Sequence, residues 1–252
     1  PRVQRGKMML EVNGVSKHFG GVKALNNVSM NLQAGEVLAL AGDNGAGKST
    51  LIKVISGVHA PDKGSLAYQG QPLRANSPLQ ARNLGIETIY QDLALADNLD
   101  VGANIFLGRE PMKSFLGMAK VIDRRKMLKE SREVLHSLDI EIPESSLGQP
   151  VRNLSGGQRQ AIAISRAIYW NAKLLIMDEP TAALGVPEQR KVLELIDKLR
   201  TQKIGIIFIS HNLNDIFAAS DRILILRQGR VVGENKINET SREEVVSQMV
   251  SG

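Results

Sequence analysis

The residues best suited to chemistry form one glycine-rich run near the start of the chain. The run consists of Gly42, Asp43, Asn44, Gly45, Ala46, Gly47, Lys48, Ser49 and Thr50. Its spacing, GxxxxGK[ST], is that of a phosphate-binding loop, and an apolar strand before it and a helix after it argue against a chance glycine-rich turn. Glycines let consecutive backbone N–H groups point into one concavity, where anions bind. Because Lys48 can reach the outer phosphates and the Ser49 hydroxyl can ligate Mg²⁺, the run predicts binding of a nucleoside triphosphate.

Two carboxylates follow a second apolar strand. Residues 174–177 are Leu-Leu-Ile-Met, and Asp178 and Glu179 come directly after them. Ligands of open α/β sheets bind at the carboxyl ends of the strands, so both acids are expected to face the triphosphate. Asp178 then suits Mg²⁺, and Glu179 can polarise an attacking water, a role worth about 10²–10⁴-fold in rate.

A third run opens a predicted helix over residues 155–169. It contains Ser155, Gly156, Gly157 and Gln158. Exposed amides, a hydroxyl and the positive end of a helix dipole form a second anion site there. Since one chain needs only one cradle for its own triphosphate, the second cradle is expected to serve the nucleotide of another molecule.

Composition excludes several other classes of protein. With 252 residues, 42% hydrophobic and 23% charged, the chain reads as one or two globular domains. The absence of cysteine excludes disulfides and thiolate metal sites. A net charge of +6 permits contact with a membrane surface or nucleic acid but requires neither. Residues 1–7 are basic without the apolar core of a signal peptide, and we expect them to be a leader or a remnant of cloning before one domain at residues 8–252.

The order of apolar segments predicts the fold class. Strands are predicted at residues 9–15, 28–32, 37–41, 65–68, 85–90, 174–177, 205–209, 222–226 and 230–232. Helices are predicted at residues 48–56, 79–83, 123–138, 155–169, 186–202, 212–220 and 241–250. Apolar strands that alternate with helices indicate an α/β fold whose parallel core sheet is covered on both faces. We expect the core at residues 8–91 and 170–252, with a helical subdomain inserted at about residues 92–169.

The three motifs together resemble a known family. GDNGAGKST, LSGGQ and LLIMDEP, in this order, resemble the ATP-binding subunit of an ABC transporter over about residues 9–233. The resemblance implies an ABC-type P-loop ATPase with a mixed core sheet, an antiparallel β part near the N-terminus, and ATP and Mg²⁺ as cofactors. It also implies that Phe19 stacks on adenine, that Gln91 contacts Mg²⁺ and water, and that His211 contacts the γ-phosphate and holds Glu179. Taken alone, each residue also has an ordinary structural interpretation: Phe19 as a core side chain, Gln91 as a solvent-exposed loop residue, and His211 as a polar cap at the end of a strand.

One segment departs from the family pattern. The family commonly has Ser-Ala-Leu-Asp where this chain has Ala182-Ala183-Leu184-Gly185, so an aspartate expected at the subunit boundary is absent. With this departure the chain is similar to single-cassette ATPases of bacterial importers for ribose, xylose, galactose or fructose.

The same resemblance implies the partners. They are a second copy in a head-to-tail ATP-sandwich homodimer, integral membrane permease subunits, and indirectly a periplasmic sugar-binding protein, with no nucleic acid expected. The implied place is the cytoplasmic side of the bacterial inner membrane, reached through the permease. Two alternatives stay open, a non-transport ABC ATPase and an ATP-gated interaction module with little hydrolysis.

Overall fold

The computed structural model describes residues 7–74, 76–115 and 119–251 of the chain. Their strands are β1 (Met8–Phe19), β2 (Val22–Gln33), β3 (Val37–Ala41), β4 (Lys63–Tyr68), β5 (Gln71–Pro72), β6 (Ile86–Ile89), β7 (Met112–Phe115), β8 (Ala119–Ile122), β9 (Leu174–Asp178), β10 (Gly205–Ile209), β11 (Arg222–Arg227) and β12 (Arg230–Lys236). Their helices are α1 (Lys48–Ile55), α2 (Pro78–Asn83), α3 (Val101–Ile105), α4 (Arg124–Ser137), α5 (Glu144–Leu147), α6 (Gly156–Tyr169), α7 (Val186–Thr201), α8 (Leu213–Ala219) and α9 (Arg242–Ser251), with 3₁₀ turns at Val151–Asn153 and Ile237–Glu239. Apart from Lys7, the predicted leader or remnant lies outside the described residues.

The chain divides into two compact units. The first holds the described residues up to Gln91, Ala172–Ala182 and those from Ile196 onward. The second holds Asp92–Asn171 and Ala183–Leu195. The helical subdomain that the sequence pattern predicts, at about residues 92–169, corresponds only to the first of these two segments. Residues 183–195 join it through tertiary contacts that no periodicity reveals.

A six-stranded sheet forms the centre of the first unit. Its strand order is β12-β11-β3-β10-β9-β6, with β11, β3, β10, β9 and β6 parallel and β12 antiparallel to β11. Every residue of β3 and β10 is buried, as expected for strands covered on both faces. The sheet is therefore mixed, as the sequence predicts, and it brings the carboxyl ends of β3, β6, β9 and β10 to one edge.

A second, antiparallel sheet contains the N-terminal strands, as predicted. Its order is β2-β1-β4-β5, and β1 and β2 are 12 residues each, longer than the predicted strands at residues 9–15 and 28–32. The pairing continues to Phe19 opposite Val22, beyond several register shifts. These irregularities break the alternation of buried and exposed side chains. The parts of β1 and β2 that pair beyond the predicted ranges, residues 16–19 and 22–27, therefore show no alternating pattern that predicts a strand.

The second unit is mostly helical, and three aromatic rings pack together within it. Phe106 is 1% exposed and its ring centroid lies 4.6 Å from that of Tyr169 and 6.0 Å from that of Trp170. The unit also contains the hairpin β7–β8, which the sequence pattern did not predict. Met112 and Ile122 pair across it and are 52% and 46% exposed, so these two apolar positions do not form a buried face that would mark the strands in the sequence.

No helix in the described part of the chain is long and apolar enough to cross a bilayer.

The turn between β11 and β12 lies directly beneath the glycine-rich loop. The Gly229 N–H donates to the Ala46 carbonyl at 2.9 Å, and the Gly229 carbonyl accepts from the Asn26 N–H at 2.8 Å. Gly229 has a φ of +74°, and a Cβ there would lie 2.6 Å from the Ala24 carbonyl oxygen. The loop therefore rests on a turn that only glycine can form at this distance.

Substitution of Gly229 is expected to destabilise the first unit through this contact. Gly229→Ala should lower the free energy of unfolding by about 1–3 kcal/mol more than Gly70→Ala does, because only the former forces backbone atoms apart. Gly70 is the matched control, with a φ of +78° and no atom within 4 Å of a Cβ. Urea denaturation of both variants gives the comparison, and equal losses would contradict the role of the turn.

Candidate functional site

A cavity of about 610 Å³ opens at the carboxyl edge of the six-stranded sheet. Its lining comes entirely from the first unit: Val22, Lys23, Ala24, Asp43, Asn44, Gly45, Ala46, Gly47, Lys48, Ser49, Thr50, Gln91, Asp178, Glu179, Ile209, His211 and Gln228. The predicted loop residues from Asp43 to Thr50 thus line the same cavity as Gln91, Asp178, Glu179 and His211, which the sequence places after strands.

The glycine-rich loop is built by close backbone contacts. Gly42, Gly45 and Gly47 all have positive φ values, of 145°, 81° and 108°. A Cβ on Gly42 would collide with the Leu226 carbonyl oxygen, and one on Gly47 would lie 2.8 Å from the Ala24 carbonyl oxygen. The loop can therefore curl tightly onto its neighbours and leave the N-terminus of α1 open to an anion.

Lys48 is the buried cation of the cavity. Its side chain folds back so that Nζ donates to the carbonyl oxygens of Gly42 and Asp43, at 2.5 and 3.1 Å. Burial lowers the pKa of Lys48, and the carboxylates of Glu179 and Asp178 oppose that shift. The ammonium group thus has carbonyl partners that phosphate oxygens can replace.

Asp178 is the last residue of β9 and Glu179 follows it directly, and both acidic residues are partly buried. Burial raises the pKa of both carboxyls, while the charges of Lys48 and His211 act in the opposite direction. Glu179 Oε2 accepts from the His211 N–H at 3.4 Å, and Glu179 Oε1 lies 3.3 Å from His211 Nε2. His211 is therefore placed to hold the carboxylate of Glu179.

The backbone of Glu179 is unusual. Its φ is 54°, in the left-handed region, and its N–H donates to the Ile209 carbonyl at 3.0 Å. A side chain in this conformation costs about 1–2 kcal/mol, and such residues concentrate at functional sites. This backbone conformation directs the Glu179 carboxylate to the cavity.

The donor set at the cavity fits Mg²⁺. Glu179 Oε1 is buried and, within the described residues, its contact with His211 Nε2 at 3.3 Å lacks hydrogen-bond geometry, so the oxygen can still accept a ligand. Ser49, Gln91 and Asp178 line the same cavity, so oxygen ligands are available, the type that Mg²⁺ prefers. No group of three or more His, Cys, Asp or Glu side chains is arranged as a metal site within the described residues.

Three further residues were predicted to serve the nucleotide. Gln91 and His211 line the cavity and are exposed to solvent. Phe19 lies at the end of β1, 43% exposed, with its ring edge-on to His59 at 5.0 Å between centroids. Lys17 Nζ lies 5.7 Å from the Phe19 centroid. Phe19 is not among the described residues that line the cavity, and its stacking on adenine stays a prediction.

Sequence reasoning missed five lining residues. They are Val22, Lys23, Ala24, Ile209 and Gln228. The turns Gly20-Gly21 and Gln228-Gly229 mark hairpins in the sequence, but only the order of strands in space brings them to the loop.

The second cradle belongs to the second unit. Ser155 caps α6: its Oγ accepts from the Gln158 N–H at 3.3 Å, and its own N–H donates to Gln158 Oε1 at 3.0 Å. Space around the next two residues is full, because a Cβ on Gly156 would meet Leu184 Cδ2 at 2.7 Å and one on Gly157 would meet Glu188 at 2.9 Å. The start of α6 is therefore closely packed at Gly156 and Gly157, while Ser155 is exposed.

Comparison with known proteins gives consistent matches. Residues 25–182 match the family described as ABC transporter. The chain is 50% identical over 243 residues to a xylose/arabinose import ATP-binding protein of Sulfolobus acidocaldarius, covering 96% of this chain and 94% of that one. It is 46% identical over 224 residues to a fructose import ATP-binding protein of Rhizobium meliloti, covering 88% and 86%.

Another relative is longer. A ribose import ATP-binding protein of Caldanaerobacter subterraneus subsp. tengcongensis is 41% identical over 242 residues, which cover 96% of this chain but 47% of that relative. The chain thus spans about half the length of the ribose relative.

Solved structures agree with the fold. A nucleotide-free ATP-binding cassette from an ABC transporter superposes with a TM-score of 0.82 at 25% identity, covering 97% of this chain and all of that one. A dimeric cassette in a post-hydrolysis state with ADP and Pi gives 0.73 at 26% identity, covering 91% and 99%.

Neutralising Asp178 is expected to stabilise the nucleotide-free protein. Because the folded-state pKa of Asp178 is raised, the stability linked to this group is fully present below its unfolded pKa and is lost as pH rises through the folded pKa. Asp178→Asn should therefore raise the thermal midpoint near neutral pH by about 1–3 °C and reduce its fall between acidic and neutral pH. The exposed Asp197 supplies the control Asp197→Asn, and a lower midpoint in Asp178→Asn would contradict the stated electrostatics.

Proposed function

Since the chain belongs to the ABC transporter family, we propose that it is the ATP-hydrolysing subunit that powers import of a monosaccharide through a membrane permease. The observation that carries the proposal is the pairing of a complete phosphate cavity with a second cradle on one chain. The relatives that match over most of their length are named for import of xylose, arabinose or fructose. Neither the non-transport ATPase nor the weakly hydrolysing module finds support in those names.

ATP binds in the cavity of the first unit. Backbone N–H groups from Gly42 to Thr50 cradle the phosphates, and Lys48 exchanges its carbonyl partners for the outer phosphate oxygens. Ser49 and Asp178, with Gln91 on the same cavity wall, would hold Mg²⁺, which would supply positive charge to neutralise the phosphates. Adenine stacks on Phe19, with Val22 and Ala24 on the same hairpin as apolar contacts.

Hydrolysis depends on Glu179 as the residue that orients and polarises the attacking water. His211 holds its carboxylate through the backbone N–H and the ring, at 3.4 and 3.3 Å. Because His211 also lines the cavity, its ring would contact the γ-phosphate of bound ATP and couple the presence of that group to the position of Glu179.

Each ATP is shared by two copies of the chain. The exposed Ser155 and the start of α6 bind the γ-phosphate held by the glycine-rich loop of the second copy, head to tail. ATP binds the closed dimer better than the open one, so binding shifts the population toward closure and hydrolysis releases it. A dimeric relative with ADP and Pi supports this arrangement.

Closure is passed to the membrane through the helical region after Gln91. We infer that this region docks the permease on the cytoplasmic side of the bacterial inner membrane, and that a periplasmic sugar-binding protein delivers the sugar. Co-purification with the permease, followed by ATPase assays with the binding protein and a panel of sugars, tests the whole assignment. A chain whose ATPase activity no sugar stimulates in that complex would contradict it.

Removing the catalytic carboxylate is expected to separate binding from turnover. Glu179→Gln should retain ATP binding, lose at least about 10²-fold in turnover, and accumulate as an ATP-bound dimer. Gel filtration with ATP and a phosphate-release assay measure both effects. Full turnover in this variant would remove Glu179 from the mechanism.

The role of the second cradle has its own test. Ser155→Arg should leave ATP binding to the monomer within about 2-fold of the unsubstituted protein, while the bulky side chain blocks the dimer and stops hydrolysis. Fluorescent-nucleotide titration and gel filtration distinguish the two steps. Loss of nucleotide binding by the monomer would show that Ser155 does not act across an interface.

A further inference from the structure

Glu188, in the first turn of α7, lies folded back over Gly185. A Cβ on Gly185 would meet Glu188 Oε2 at 2.7 Å, and the next nearest atoms are 3.8 Å away. The φ of Gly185 lies outside the left-handed region. The carboxylate of Glu188, and not the backbone, therefore occupies the place where a side chain at position 185 would begin, and such a side chain would have to displace it.

The stem of the same side chain packs against the second cradle. A Cβ on Gly157 would lie 2.9 Å from both Glu188 Cβ and Cγ. The neighbouring residue strengthens the connection, because Gln189 Nε2 donates to the Leu184 carbonyl at 3.1 Å and the Gln189 N–H donates to the Gly185 carbonyl at 2.9 Å. Glu188 thus contacts both the loop before α7 and the start of α6.

The loop itself is open to solvent. Ala183 and Gly185 are exposed, Val186 is 78% exposed, and Ala183 has a left-handed φ of 59°. A loop with a strained residue and little burial needs an external contact to keep one shape. Within the second unit, Glu188 and Leu184 provide that contact through Gly157 and Gly156.

We propose that Glu188 is a positioning residue that takes the place of the side chain absent at position 185. Its carboxylate is the acceptor that the loop at residues 182–185 presents to the second copy of the chain. Its stem holds that loop to Gly157, so the loop and the second cradle move as one piece when the dimer closes. This inference rests on the proposed function, since it assumes that both features face a second copy.

The carboxylate is well placed for such a role. An acid in the first turn of a helix interacts favourably with the helix dipole. Glu188 is partly buried, so fewer of its rotamers are open than for a free surface glutamate. A fixed acceptor loses little entropy when it meets a hydrogen-bond donor of the partner, which favours closure.

A double substitution tests the matched pair. Glu188→Ala should lower turnover about 10-fold and weaken ATP-induced dimerisation in the Glu179→Gln background, with monomer affinity for ATP within about 2-fold. Gly185→Asp alone should also lose activity, because its Cβ and charge meet Glu188. The pair Gly185→Asp with Glu188→Ala moves the carboxylate to position 185 and should recover turnover to within about 3-fold of the unsubstituted chain.

The contact is measured separately from the function. In the absence of nucleotide, the change in thermal midpoint caused by Gly185→Ala should be less favourable in the unsubstituted chain than in Glu188→Ala, because only the former has to displace the Glu188 carboxylate. Glu194→Ala is the matched control, because Glu194 lies on the same helix, exposed and paired with Arg190. It should leave turnover, dimerisation and the coupling unchanged.

The possible outcomes distinguish the proposal from its premise. Additive midpoints in the cycle without nucleotide would overturn the contact. Coupled midpoints with unchanged turnover and dimerisation in Glu188→Ala would overturn the positioning role, leaving Glu188 a packing residue. An unsubstituted chain that neither hydrolyses ATP nor dimerises with it would overturn the proposed function and the role of Glu188 in closure, whatever the midpoints show.

Discussion

The close approach of backbone to backbone beneath the glycine-rich loop is the constraint on which the nucleotide site depends. Gly42 lies against the Leu226 carbonyl, and Gly47 and Gly229 both lie against the Ala24 carbonyl. These contacts join the loop to β11 and β2, which come from the two different sheets of the first unit. Because no side chain intervenes, the position of the loop is set by the two sheets themselves, and α1 begins at a fixed place. The cavity follows from that arrangement.

The charges in the cavity are placed at an energetic cost. Lys48 is buried with a lowered pKa, while Asp178 and Glu179 have raised pKa values because burial removes water from them. Each group would be more stable in solvent, and each gains a suitable partner when phosphate and a divalent ion enter the cavity. The free protein therefore holds its functional groups in an environment that favours ligand binding over the empty state.

Much of the site is predictable from the sequence because its residues are adjacent in the chain. The glycine-rich loop, the acids after β9 and the cap of α6 each follow from a short pattern. The parallel part of the core sheet follows from the alternation of apolar strands and helices, whereas its mixed character was implied only by the resemblance to a family. The presence of Lys23 and Gln228 in the cavity lining does not follow from any short sequence pattern. It depends on which hairpins the strand order places beside the loop, and no periodicity encodes that order.

Other features were missed for a related reason. The hairpin β7–β8 buries too little to produce an alternating pattern, and the outer halves of β1 and β2 are interrupted by register shifts. The absence of a side chain at Gly185 is visible in the sequence, but only the structure shows Glu188 over that position. Short motifs that carry chemistry can thus be predicted from the sequence, whereas contacts that depend on the three-dimensional packing of side chains cannot.

The left-handed backbone at Glu179 has a consequence for how this position can evolve. Glycine would adopt a φ of 54° without the steric cost that glutamate bears. Selection for stability alone would therefore favour the loss of this side chain, and with the role proposed for Glu179 in hydrolysis the glutamate would persist only while turnover is under selection. A descendant of this chain that had become a passive nucleotide sensor would be expected to lose Glu179 early, so this one position would record whether a lineage still hydrolyses ATP.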